Sequence, residues 1–102
     1  MADVTVTNIL TDKEGLKALD LDSDSADADS INSYVATASY FIYNRTGKNW
    51  GTTNKLAKQC CEFVLAQNYY KDDEHDFSKP IDALLSDLND IYQAEKENSS
   101  NG

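Results

Sequence analysis

Cationic side chains are scarce in this chain. Eight Lys and one Arg stand against thirteen Asp and five Glu, and the cations form no cluster. The net charge is −9. An independent nucleic-acid binder needs a cationic footprint for phosphate, so that class is excluded. Cysteine is equally thin. Cys60 and Cys61 are neighbours that cannot easily bridge one another, and they fall inside an apolar helical pattern. They read as small buried hydrophobes of a reducing compartment, not as a disulfide frame or a CxxC site. The lone His75 lies among acids in KDDEHDFSKP, with no second ligand at metal spacing. No glycine-rich phosphate loop is present, and buried thiols are poor nucleophiles because desolvation raises their pKa. With no nucleophile–base pair, carboxylate pair or metal cluster, the chain reads as an interaction or structural protein and not as an enzyme. No cofactor is expected. No apolar run approaches a membrane span. No basic stretch followed by an apolar run opens the sequence, so the expectation is a soluble protein made in a cytoplasm without a signal peptide.

What the sequence does hold is helical periodicity. A length of 102 residues suits one domain with a single core. The stretch Asn54 to Tyr70, NKLAKQCCEFVLAQNYY, is apolar nearly all round. Leu56, Cys60, Phe63, Gln67 and Tyr70 share one face, while Ala57, Cys61, Val64 and Leu65 cover the flank and back. Such a helix is buried, by its own domain or by neighbouring chains. We read it as the central helix of an all-α fold, a small bundle of about four helices over residues 12–20, 27–46, 54–71 and 80–96.

The flanking segments fit that plan. Residues 1–8 alternate through Val4 and Val6 and read as a flexible or extended arm. Thr11 and Glu14 stand at capping-box spacing, opening a short helix with Leu16 and Leu19 inward that ends near Asp20; Leu21 is expected to join the core. LDSDSADADS follows. An EF-hand loop begun at Asp20 puts Ser25 where glycine is obligatory and Ile31 where the bidentate Glu belongs. Begun at Asp22, the loop puts Ser33 at the Glu position. The plainer reading is an acidic loop delivering Asp and Ser to a helix N-terminus. In the next helix Ile31, Tyr34, Val35, Ala38, Phe41 and Ile42 share one face, with Ala36, Tyr40 and Tyr43 opposite. Two outward tyrosines are either tolerated amphipathic surface or part of a protein interface. Gly47, after Thr46, suits a left-handed helix stop. Ser78 and Pro80 open the last helix, with a stripe of Ile81, Leu84, Leu85, Leu88, Ile91 and Tyr92. Residues 97–102 read as a disordered polar tail.

The order of these elements resembles the head–tail connector (adaptor, head-completion) proteins of long-tailed bacteriophages and prophages. The residues that carry the resemblance are Leu16-Lys17-Ala18-Leu19-Asp20, the acids from Asp22 to Asp29, and Ile31 with Tyr34, Val35 and Ala38. Ile42, Thr46-Gly47, Phe63 to Tyr70, and Pro80 with Leu84 and Leu85 complete it. It covers residues 9 to 92, and the last helix looks longer than the family's usual ending. The resemblance implies a virion protein made in the host bacterial cytoplasm and assembled at the head–tail interface. Its implied partners are copies of itself in a ring of about a dozen subunits, the portal protein, and a stopper or tail-completion protein. DNA would pass through the ring without specific binding, and no membrane is involved. Tyr40, Tyr43, Trp50, Leu65 and Tyr69 are the candidate interface residues, Trp50 on the ground that its loop is exposed. Asp22, Asp24, Asp27 and Asp29 are the candidate channel-facing acids, since negative charge lets DNA slide without sticking. The alternative is a small acidic helical regulator, a DNA mimic, that binds another protein.

Overall fold

The computed structural model describes residues 6–22, 30–71 and 73–100. They form four helices: α1 (Asp12–Ala18), α2 (Ile31–Thr46), α3 (Lys55–Tyr70) and α4 (Ser78–Ser100), with a 3-10 turn at Asp73–His75. The fold is all-α; α3 touches α1, α2 and α4, and α2 likewise touches each of the other three helices.

Each boundary has a local cause. Thr11 Oγ1 accepts from the Glu14 amide at 3.1 Å, and Glu14 Oε1 accepts from the Thr11 amide at 2.9 Å. This capping box satisfies two of the amides that a helix start leaves without intrahelical partners. α1 ends with Asp20 in the left-handed region (φ 56°). The Leu21 amide reaches Leu16 O at 2.9 Å and the Asp20 amide reaches Lys17 O at 3.1 Å, the two bonds of a Schellman stop. Gly47 ends α2 at φ 80° with its amide on Tyr43 O, as its sequence position implied. Asn54 caps α3 through Oδ1 to the Ala57 amide at 3.0 Å. The first α4 bond runs from the Ile81 amide to Phe77 O. Pro80, one residue earlier, therefore sits where no intrahelical donor is needed. Gln67 Oε1 accepts the Phe77 amide at 2.8 Å, tying the α4 start to α3.

Some boundaries and faces differ from the sequence reading. α4 begins at Ser78 and continues to Ser100, so residues 97–100, expected in a disordered tail, are helical. No Gly or Pro interrupts the run after Pro80 until Gly102. At the start of α2, Ser30 occupies the N-cap in helical backbone and makes no side-chain capping bond. Residues 27–29, expected within α2, lie outside the described residues. The face α3 buries is rotated from the one expected. Ala57, Cys60, Cys61, Val64 and Leu65 lie deepest, whereas Leu56 and Phe63 are half-buried at the rim and Tyr70 is exposed.

The core includes two residues the periodicity did not point to. Ile9 and Leu10 precede α1 and are each 1% exposed. The Ile9 amide donates to Ser39 Oγ at 2.9 Å, and Ser39 Oγ donates to Val35 O at 2.8 Å, so this buried hydroxyl anchors the segment before α1 onto α2. Gly15 lets α1 approach α2 closely: a Cβ there would stand 2.9 Å from both Ile31 Cγ1 and Val35 Cγ2.

Candidate functional site

Buried chemistry offers little in the described residues. Among them no group of three His, Cys, Asp or Glu side chains is placed to hold a metal ion. Burial pushes the Cys60 and Cys61 thiols up to about 12, and both cysteines are free and fully enclosed. Every buried polar side-chain atom among the described residues has a hydrogen-bond partner. No helix there is long and apolar enough to cross a membrane. What distinguishes this fold is the distribution of charge over its outer faces.

The inward face of α2 carries Ile31, Val35, Ala38, Ser39, Ile42 and Thr46. Its outward face then presents Ser33, Ala36, Thr37, Tyr40 and Asn44, all exposed. None bears a charge. Residues 30–61 contain no Asp or Glu at all, in a chain with 18 acidic residues. This acid-free window is legible in the sequence, yet apolar periodicity does not reveal it because the missing charges lie on the outer side. Tyr40 is 50% exposed, and its ring lies 6.1 Å from that of half-buried Tyr43.

Two shallow grooves flank this face. One, of about 360 Å³, is lined by Ser33, Tyr34, Thr37, Asn68 and Lys71. The other, of about 320 Å³, runs past Phe41, Arg45, Asn68, Ile81 and Asp82. Asn68 is shared, so the two adjoin: the first lies between α2 and α3 with Lys71 at its end, and the second lies where α2, α3 and α4 meet, with Arg45 and Asp82 both lining it. Arg45 rests over the Phe41 ring, 4.9 Å from its centroid.

The outer face of α4 is the opposite in character. Asp82, Asp87, Asp90 and Glu97 are exposed on one side of that helix, with Ala83, Ser86, Gln93 and Ala94 between them. Glu95 is engaged by Lys48, which also stacks over Trp50 at 4.5 Å.

The residues proposed from sequence do not converge on one surface. Tyr40 and Tyr43 lie on the outer side of α2 as expected. Tyr69 is half-buried in a ladder of aromatic edges, 5.6 Å from Tyr34 and 5.0 Å from Tyr70. Leu65 is 0% exposed and Trp50 is 6% exposed, both inside the chain's own core. The expectation of an exposed Trp50 is therefore corrected, although Asn49, Thr52 and Thr53 of its loop are exposed. Thr46 accepts the indole N–H at 2.9 Å and draws the ring inward. Asp22 is exposed, while Asp24, Asp27 and Asp29 lie outside the described residues. Phe63 is also half-buried, packed 5.2 Å from Phe77.

Comparison with protein-family models, with curated proteins and with solved structures finds no match to this chain.

Proposed function

We propose that this protein is a structural subunit that assembles with copies of itself into a ring between a portal and a tail or stopper protein, extending the channel through which DNA passes. The observation that carries the reading is the uncharged, tyrosine-bearing outer face of α2 on a chain of net charge −9. Charged residues are depleted and tyrosine is enriched where protein surfaces meet. A solvated helix on so acidic a chain has no reason to shed every carboxylate from that side. The order of elements, which resembles head–tail connectors, supports the same assignment.

The acid row of α4 favours a second reading, an acidic regulator that imitates DNA, because exposed carboxylates along one side of a helix can stand in for backbone phosphates. Negative-stain electron microscopy of the purified protein, alone and with its portal, separates the two. The connector reading expects closed rings with a central hole wide enough for duplex DNA. Isolated small particles in both samples, together with saturable binding to a DNA-acting enzyme, would favour the regulator.

A further inference from the structure

The two outer faces differ in charge but match in length. α2 spans 16 residues, and its outer side carries hydroxyl and amide donors from Ser33, Thr37, Tyr40 and Asn44 without a single carboxylate. From Ser33 to Asn44, at 1.5 Å per residue, that face is about 17 Å long. Lys71 stands beside one end of it, and Arg45, which shares its groove with Asp82 of the same chain, stands near the other. With Asp82 turned to the Arg45 groove, the α4 row from Asp87 to Glu97 extends about 15 Å by the same rise. Ionised carboxylates only accept hydrogen bonds, and the α2 face offers donors with Lys71 beside one end.

We infer that the outer face of α2 in one copy docks on the outer face of α4 in the next, a head-to-tail contact between copies of this chain. The inference rests on the self-assembly part of the connector reading and names the surfaces that would carry it. A symmetric α2–α2 contact would leave Lys71 and the acid row unused, whereas α2 against α4 engages both. The small side chains Ala36 and Ser33 on one face, and Ala83, Ser86 and Ala94 on the other, let the helices approach closely. Because the faces are different, each copy keeps one free face after pairing, so the contact propagates until a ring closes or a filament grows. One helix face covers on the order of 250 Å², well below the roughly 800 Å² per partner of a stable pair. Single contacts are thus weak, and closure supplies the rest.

Sedimentation velocity on the full chain tests this with two variants, Tyr40→Glu and the double substitution Asp87→Asn with Asp90→Asn. All three positions are exposed, and circular dichroism checks that each variant keeps its helices. The wild type is expected to form larger species as concentration rises. Each variant alone is expected to associate at least tenfold more weakly. Mixed in equal amounts, the two are expected to form a one-to-one dimer and nothing larger, since each retains the face the other lacks. Wild-type association persisting in either variant would overturn the contact while leaving the ring reading intact. A loss confined to Tyr40→Glu would mean a symmetric α2 contact and would also overturn it. A wild type monomeric at all concentrations, even with portal present, would sink the contact and the connector reading together. If a foreign acidic helical peptide then bound α2, the occupant would be another protein.

Discussion

The indole N–H of Trp50 donates to Thr46 Oγ1 at 2.9 Å, one turn after α2 has ended. The same hydroxyl donates to Ile42 O at 2.8 Å and accepts from the Lys48 amide at 3.3 Å. A single threonine thus closes α2, folds the following loop back, and satisfies the polar edge of a buried tryptophan. Lys48 covers the outer face of that ring and reaches Glu95 on α4.

Replacing Thr46 with Val keeps the shape but strands the Trp50 N–H in the core. An unpaired buried donor costs about 1–3 kcal/mol. Urea unfolding followed by Trp50 fluorescence is expected to show a loss in that range with an unchanged slope. A loss near zero would mean that another acceptor serves the indole.

Gly15 is expected to resist larger side chains. Gly15→Ala gains about 1 kcal/mol of helix propensity, but its Cβ meets Ile31 and Val35 at 2.9 Å, where both are enclosed. Overpacking costs about 1–3 kcal/mol, so the alanine variant should be mildly less stable. Gly15→Leu should lose more, on the order of 3 kcal/mol. Thermal melts of the two variants check the order.

The thiols of Cys60 and Cys61 should be silent in the folded protein. With both pushed up to about 12 by burial, the reactive thiolate is nearly absent at mildly alkaline pH. A thiol reagent is expected to label at the rate of unfolding, and to label both cysteines at once in denaturant. Rapid labelling of either in native buffer would contradict the enclosed core.

Two glutamates should oppose each other as pH falls. The Lys58 ammonium, 2.8 Å away, and the Thr11 amide hold Glu14 below the usual carboxylate range. Its contribution is present above the unfolded pKa and is lost as pH falls through the lower folded value. Burial, then the Glu14 charge, pushes Glu62 up. Ionised Glu62 therefore costs stability at neutral pH, and the cost is relieved as pH falls through its raised folded value. Both groups face solvent, so each effect is under about 1 kcal/mol. Glu14→Gln should lower the neutral-pH Tm and flatten the acid limb, whereas Glu62→Gln should raise the neutral-pH Tm and steepen that limb.

The helices were readable because their signals are local. Thr11 with Glu14, Gly47, and Ser78 with Pro80 mark ends by chemistry that acts within a few residues. Periodicity placed α3 at the centre, but its nearly continuous apolar surface left the rotation open, and packing against α2 and α4 chose Cys61 and Leu65 over Phe63 and Tyr70. Ile9, Leu10 and Ser39 were hidden because their burial depends on a contact 30 residues away in sequence. Trp50 misled for a related reason: its polar loop hides a ring that turns inward onto Thr46. The outward tyrosines of α2 were legible, and so was the absence of acids around them, but apolar periodicity does not reveal it because the missing charges lie on the outer side.

Native mass spectrometry of the wild-type protein, from low micromolar to near-millimolar concentration and with portal added, tests self-assembly most directly. The account predicts a concentration-dependent series ending in one closed assembly of about a dozen subunits. A monomer throughout, with portal as well as without it, would contradict it.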